Sequence, residues 1–378
     1  MKTLKTTRYQ LYILAYHLYF IGYVINSAIF RQEFFLVLLL LFTLLETKGL
    51  IKNPRYSILM GGLAIVSILS FFLRNYYTNA SLALYFFMLP VMIFSYTEKR
   101  VGYRIHLIPL TIFATYVIFS LINGIDPNNI LDSRSRNMVS LYLILFVVYY
   151  YIEKYRYTGR LDLWPATLAL VISVLTIGRS GILTSLLLLL NVSYFKLGKS
   201  SPINKIAYSF IAFILVVLLT GLFQEQLDSL FDISFARFKD RGIEDEARSS
   251  IIEAYMESIK TDPIQLLLGS KLESGTFATF KYNLHNSFLS LHYFTGIFSI
   301  IILLFIIKAL IFTREKLFYR GLLFIVLVRG AADQVFFFNF NDVIIFYLLF
   351  LITSKNKGFE YQTTKDLNIK NQIKLYSK

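Results

Sequence analysis

Long apolar runs joined by short polar connections make up most of this chain, and the runs define its elements. Counted at helix-spanning length, they begin near Tyr9, Phe34, Tyr56, Ser81, Ile105, Met138, Leu163, Ile182, Ile206, Ser287, Leu317 and Asp342. The pattern predicts an all-α polytopic integral membrane protein of about twelve transmembrane helices, some short enough to tilt or re-enter. One stretch breaks the rhythm: Gln224 to Leu284 contains no run long enough to cross a bilayer.

Lysine and arginine assign sides to this pattern, because basic residues concentrate on cytoplasmic loops. Lys2, Lys5 and Arg8 fall on one side, followed there by the groups at Lys48–Arg55, Lys99–Arg104, Lys154–Arg160, Lys196–Lys205 and Lys308–Arg320, and by the tail from Lys355. The alternate connections hold Arg31, Arg74, Arg134, Arg136, Arg179 and the long stretch. Both termini are therefore expected in the cytoplasm and the long stretch outside it. This gives one integral domain over 1–378, an extracytoplasmic subdomain at 224–284 and a basic cytoplasmic tail at 355–378. Within 224–284 acids outnumber bases, the reverse of the chain as a whole. The N-terminal MKTLKTTR precedes an apolar run but no small-residue cleavage site, so it is read as a span that stays.

Composition supports the membrane reading. Hydrophobic residues make up 56% of the 378 and charged residues 16%, outside the usual range of a soluble domain. The net charge of +15 is dispersed between apolar runs and does not gather on one face, which argues against a nucleic-acid partner. The absence of cysteine excludes disulfides, thiolate metal sites and cysteine nucleophiles. The four histidines, His17, His106, His285 and His292, are too scattered for a recognisable metal motif. Tyrosines near span ends read as aromatic belts.

An ionisable residue at a membrane boundary is expensive to keep, so each is a candidate for function. Arg179 follows an apolar run in TIGRSG, where Gly178 and Gly181 allow a turn. That turn either points a guanidinium at the space beneath the long loop or lets it snorkel to headgroups. Arg248 heads EARSSIIEAYMESIK, an amphipathic helix by the spacing of Ile251, Ile252, Tyr255, Met256 and Ile259, which Asp262-Pro263 should stop. On such a helix an arginine taken alone is more often a solvated surface charge than a site residue. His285 precedes Asn286 and Ser287, two competent N-caps that have no need of a histidine. A boundary histidine suits general-base chemistry. His292 lies one heptad further on the same face and can simply line the packing. Arg329 and Asp333, four apart, share a helix face and suit a structural ion pair.

GRSG after an apolar span, an arginine heading a helix in the one long external loop, and H-N-x-x-L opening the next span together resemble the bacterial O-antigen polymerase and O-antigen ligase superfamily. The resemblance runs from about Leu163 to Asn341 and, by span count, over the whole chain. It implies a membrane-embedded (GT-C type) glycosyltransferase fold in the bacterial cytoplasmic (inner) membrane, with its active site facing outward. It also implies a metal-independent glycosyltransferase without cofactor, acting on a polyprenyl-diphosphate-linked glycan donor and acceptor, with a chain-length regulator as a candidate partner. Carried over by position, Arg179 and Arg248 hold the diphosphate and His285 joins them in catalysis, with Asp333, Arg329 and His292 as supporting candidates. The loop proline is followed by IQLLLGSKLE, which departs from the family's Gly-x-Gly, so Gly269 takes no role. The expected activity is polymerisation of O-antigen or capsular repeat units. Ligation to a lipid A core and transfer to protein are the alternatives within the superfamily. A flippase or secondary transporter is the alternative from another class; it should show two related halves, and the single long loop has no counterpart in the first half.

The alternation of basic loops predicts that reporters fused at Lys260 and after Lys378 will show opposite sides of the membrane. The same side for both would overturn the topology.

Overall fold

The computed structural model describes residues 2–25, 32–51, 80–98, 101–131, 135–198, 246–269, 283–312, 316–337 and 341–354, with isolated positions in 54–65 and 275–277. The spans expected near Tyr56 and Ile206, the loop segment 224–245 and the tail 355–378 lie outside the described residues. Those described are helical, with no strand among them. The helices are α1 (Lys2–Ile25), α2 (Gln32–Ile51), α3 (Ala80–Glu98), α4 (Leu107–Ile122), α5 (Arg136–Thr158), α6 (Trp164–Leu175), α7 (Arg179–Gly198), α8 (Glu246–Thr261), α9 (Pro263–Leu268), α10 (Ser287–Thr295), α11 (Phe298–Phe312), α12 (Leu317–Ala332) and α13 (Asp342–Thr353), with a 3₁₀ turn at Tyr103–His106 ahead of α4. Three described segments are long and apolar enough to cross a membrane: Tyr103–Ile122, Arg136–Thr158 and Arg179–Gly198. Others, including Trp164–Leu175 and Asp342–Thr353, are apolar but shorter.

Helix α5 is the axis. Every residue from Val139 to Glu153 is buried, as an all-round apolar helix requires when other helices surround it. It packs against α4, α6, α7, α12 and the 3₁₀ turn. Around this post α1 lies on α2 and α4, α3 on α2 and α13, and α12 between α7 and α13. The end where α5, α7 and α10 start and α12 stops is called upper below.

Many of the polar side chains inside the bundle pair with one another, since an unpaired group in an apolar interior costs on the order of several kcal/mol. At the lower end His17 Nε2 meets His106 Nδ1 at 3.0 Å and the Tyr96 hydroxyl at 3.1 Å. Arg156 donates to the carbonyls of Tyr96 at 2.6 Å and Thr97 at 2.8 Å, and lies 3.6 Å from Glu153. Glu153 in turn accepts from the Tyr347 hydroxyl. This cluster pins α1, α3, α5, α13 and the 3₁₀ turn together. His17 and His106, far apart in sequence, are thus a contact pair that spacing did not reveal.

Helices α6 and α7 form a tight hairpin through Thr176, Ile177 and Gly178. The sequence suggested that glycine freedom makes this turn, and the structure corrects that. The left-handed residue is Ile177, at φ 52°, while the glycines let the hairpin approach α5. A Cβ on Gly178 would sit 3.4 Å from Asn137 Oδ1, and one on Gly181 would overlap both side-chain atoms of Ser140. Gly181→Ala should therefore destabilise the detergent-solubilised protein by about 1–3 kcal/mol. Adding Ser140→Gly should recover most of that loss in a thermal melt.

Candidate functional site

The candidate site is built at the upper end. Arg179 is the first residue of α7 and is exposed. The first turn of a helix presents N–H groups without intrahelical acceptors at the positive end of its dipole. An exposed guanidinium there makes the α6–α7 turn a place that favours anions. Beside it the Ser180 hydroxyl is buried without a hydrogen-bond partner among the described residues.

Beneath this turn a buried clamp joins three segments. Arg329 is 1% exposed; its Nη1 donates to Asp333 Oδ2 at 2.6 Å and its Nη2 to the Asn137 carbonyl at 2.8 Å. The ion pair expected four residues apart is present, although Asp333 is the extended residue that follows α12 and does not share its helix face, and a second bond of Arg329 reaches the start of α5, under Gly178. Asp333 passes the connection on, because its backbone carbonyl accepts from the Ser287 hydroxyl at 2.7 Å. The same Ser287 oxygen accepts from the N–H groups of Val335 at 3.0 Å and Phe336 at 3.1 Å. Ser287 is thus the joint between the end of α12 and the start of α10, and not the helix cap.

Asn286 is the cap: its Oδ1 accepts from the N–H groups of Phe288 and Leu289. His285, immediately before it, has φ 49°, a region that non-glycine residues rarely occupy and that concentrates at functional sites. Bonds from its own N–H and from the residue before it hold it there. The His285 N–H donates to Asn283 Oδ1 at 2.9 Å, and the Leu284 N–H to Gln334 Oε1 at 2.8 Å. The histidine is half-buried.

The loop helix α8 docks beside this turn. Its apolar stripe enters a second, small core of Ile251, Tyr255, Phe277, Leu284 and Tyr293. Asp262 ends α8 and caps α9, accepting from the Ile264 N–H at 3.0 Å, so the Asp-Pro stop predicted from sequence also starts a new helix. His292 clasps both helices. Its Nδ1 lies 2.8 Å from the Tyr255 hydroxyl and its Nε2 3.0 Å from the Leu266 carbonyl. A carbonyl only accepts, so Nε2 carries the proton and, in the neutral ring, Nδ1 accepts from tyrosine. One turn on, the Ile297 N–H donates to the Leu267 carbonyl at 3.0 Å. There the chain breaks into α10 and α11 at Gly296, whose φ of +54° and crowding against Leu267 leave no room for a Cβ.

The clamp through Asn137, Arg329, Asp333 and Ser287 ties the Arg179 turn to the His285 turn. Arg248 falls in the first turn of α8; its side chain lies outside the described set. His292 belongs to the docking of the loop and not to the clamp. Sequence reading missed Asn137, Ser140, Tyr255 and Gln334; of these Asn137, Tyr255 and Gln334 act through partners 37 to 192 residues away. Tyr255 alone left a signal, standing one heptad after Arg248 as His292 stands one heptad after His285. No family model, curated protein or solved structure matches this chain.

Removing one partner of a buried ion pair costs about 3–5 kcal/mol, because the other charge is left unpaired. Arg329→Leu should therefore lower thermal stability strongly. Arg329→Leu with Asp333→Leu should be more stable than Arg329→Leu alone, although it loses two polar partners.

Proposed function

We propose that this chain is a membrane-embedded glycosyltransferase that polymerises polyprenyl-diphosphate-linked repeat units, with about twelve spans and its upper end at the outer face of the cytoplasmic membrane. The observation that carries the reading is the buried clamp tying the Arg179 turn to the His285 turn, with the helix of Arg248 docked against the same α10 that His285 precedes. The motif resemblance to the O-antigen polymerase and ligase superfamily supplies the reaction class.

In this reading an acceptor hydroxyl oxygen attacks the anomeric carbon of the donor glycan. The new glycosidic bond forms as the bond from that carbon to the diphosphate oxygen breaks. The leaving diphosphate takes the bonding electrons, and the hydroxyl proton passes to the His285 ring. Charge gathers on the leaving diphosphate, where guanidiniums fork onto phosphate oxygens and need no reorganisation. Arg179 supplies one such group from a helix start that already favours anions, and Arg248 supplies the other. His285, fixed in a strained turn, keeps its ring at one place and pays for that position in backbone energy.

The test is repeat-unit transfer in membranes from a deletion strain complemented with variants at wild-type protein levels. Arg179→Lys should fail nearly as badly as Arg179→Ala, since an ammonium keeps the charge and loses the fork. His285→Ala should abolish transfer, and chelator should leave the wild-type rate unchanged. The Arg179 and His285 double variant should cost little more than either single change, as for residues serving one transition state. Near-normal polymer from His285→Ala would overturn this site. Accumulation of lipid-linked polymer in the deletion strain would move the activity to ligation.

A further inference from the structure

Among the described residues three other than glycine stand at positive φ, Ile177, His285 and Phe337, and all three lie in turns at the upper end. A bulky aromatic tolerates that region less well than histidine does, so Phe337, at φ 64°, needs a firm hold. It has one. The Phe337 N–H donates to Asp342 Oδ1 at 2.6 Å, and Asn341 Nδ2 donates to the Val335 carbonyl at 3.1 Å. Asn341 and Asp342 are buried at the start of α13. The stretch Asp333–Phe337 that leaves α12 is therefore fastened to α13 on one side, independently of what it meets on the other.

What it meets on the other side brackets His285. Before the histidine, the Leu284 N–H donates to Gln334 Oε1 at 2.8 Å. After it, the Ser287 hydroxyl donates to the Asp333 carbonyl and accepts from the N–H groups of Val335 and Phe336. The Phe288 and Phe337 rings, 5.8 Å apart, extend the same attachment. The bond from the His285 N–H to Asn283 stays inside the turn and moves with it. With Leu284 and Ser287 both tied to one stretch, the backbone between them is confined, and the φ of His285 follows from where the two ties fall. The Leu284 side chain also packs in the small core, but apolar contact is non-directional. The directional hold ahead of His285 is the Gln334 bond. The cost of a histidine at positive φ and the worth of one hydrogen bond are of similar size, so that bond decides whether the turn keeps its form.

We infer that the stretch Asp333–Phe337 is a preset bracket that holds His285 at its positive φ, and that Gln334 is the positioning residue that closes it. The inference rests on the transferase reading for its catalytic consequence and on the recorded bonds alone for the bracket.

The experiment uses the full chain in lipid nanodiscs and follows backbone amide hydrogen exchange, by mass spectrometry, in peptides that cover Leu284 and His285. Repeat-unit transfer is measured on the same preparations. Gln334→Met keeps the length of the side chain and removes the acceptor, whereas Gln334→Glu keeps an acceptor oxygen. In Gln334→Met the amides of the His285 turn should exchange roughly tenfold faster or more, while those of the buried axis α5 keep their wild-type rates. Transfer should fall by roughly tenfold or more, with kcat falling more than KM. Gln334→Glu should restore the slow exchange and most of the transfer. If Gln334→Met does not accumulate as folded protein, Gln334→Asn, whose oxygen stands one methylene short of Leu284, should show the same faster exchange and the same loss. Wild-type exchange at the turn in the variant without the bond overturns the bracket. Faster exchange with unchanged transfer overturns the positioning role, as does a loss of transfer in Gln334→Glu as deep as in Gln334→Met. If the unaltered chain transfers nothing, the transferase reading fails, while the exchange rates still decide the bracket.

Discussion

A guanidinium sealed into an apolar bundle must find its acceptors within the chain, and most of the upper end follows from where Arg329 finds them. One acceptor is local, the Asp333 carboxylate four residues on. The other is the Asn137 carbonyl at the start of the buried axis. Because Asp333 also offers its backbone carbonyl to Ser287, one charge organises the end of α12, the start of α5 and the start of α10. Fixing these in turn places the two turns that carry Arg179 and His285. The same constraint operates at the lower end through Arg156, Glu153 and the His17–His106 pair. The bundle is thus held at both ends by polar groups that water cannot reach, with apolar contacts between them.

The helical class was legible because period and length of the apolar runs are local properties. Helix starts near Leu163, Ser287, Leu317 and Asp342 agree with α6, α10, α12 and α13 to within a residue. The break at Gly296 was not legible: the run from Ser287 to Phe312 is predominantly apolar, and a positive φ together with the approach of the Leu267 carbonyl makes a glycine necessary there. The glycines beside Arg179 were noticed for the wrong reason. Their value is the space they leave for Asn137 and Ser140, which no local pattern encodes.

For the site, sequence supplied the side chains that are costly at a boundary, and the Arg329–Asp333 pair followed from helical spacing alone. What it did not supply was the set of neutral residues that hold them. Asn137, Ser287 and Gln334 have ordinary polar side chains or carbonyls whose partners come from distant segments. A serine read as a cap candidate proved to be a three-bond joint, while the asparagine beside it does the capping. His292 shows the converse, for its heptad relation to His285 suggested a shared face and its bonds instead fasten the loop.

Asp333 and Asn137 stand at very different distances along the chain from Arg329. A buried arginine is costly until its charge is paired. Asp333 follows on the same segment and supplies the opposite charge. Asn137 belongs to a segment nearly two hundred residues earlier and offers a backbone carbonyl, an acceptor that no side-chain substitution deletes. The local partner neutralises the charge beside its own helix and the distant one fixes that helix against α5, so a single arginine connects neighbours in sequence to the final packing.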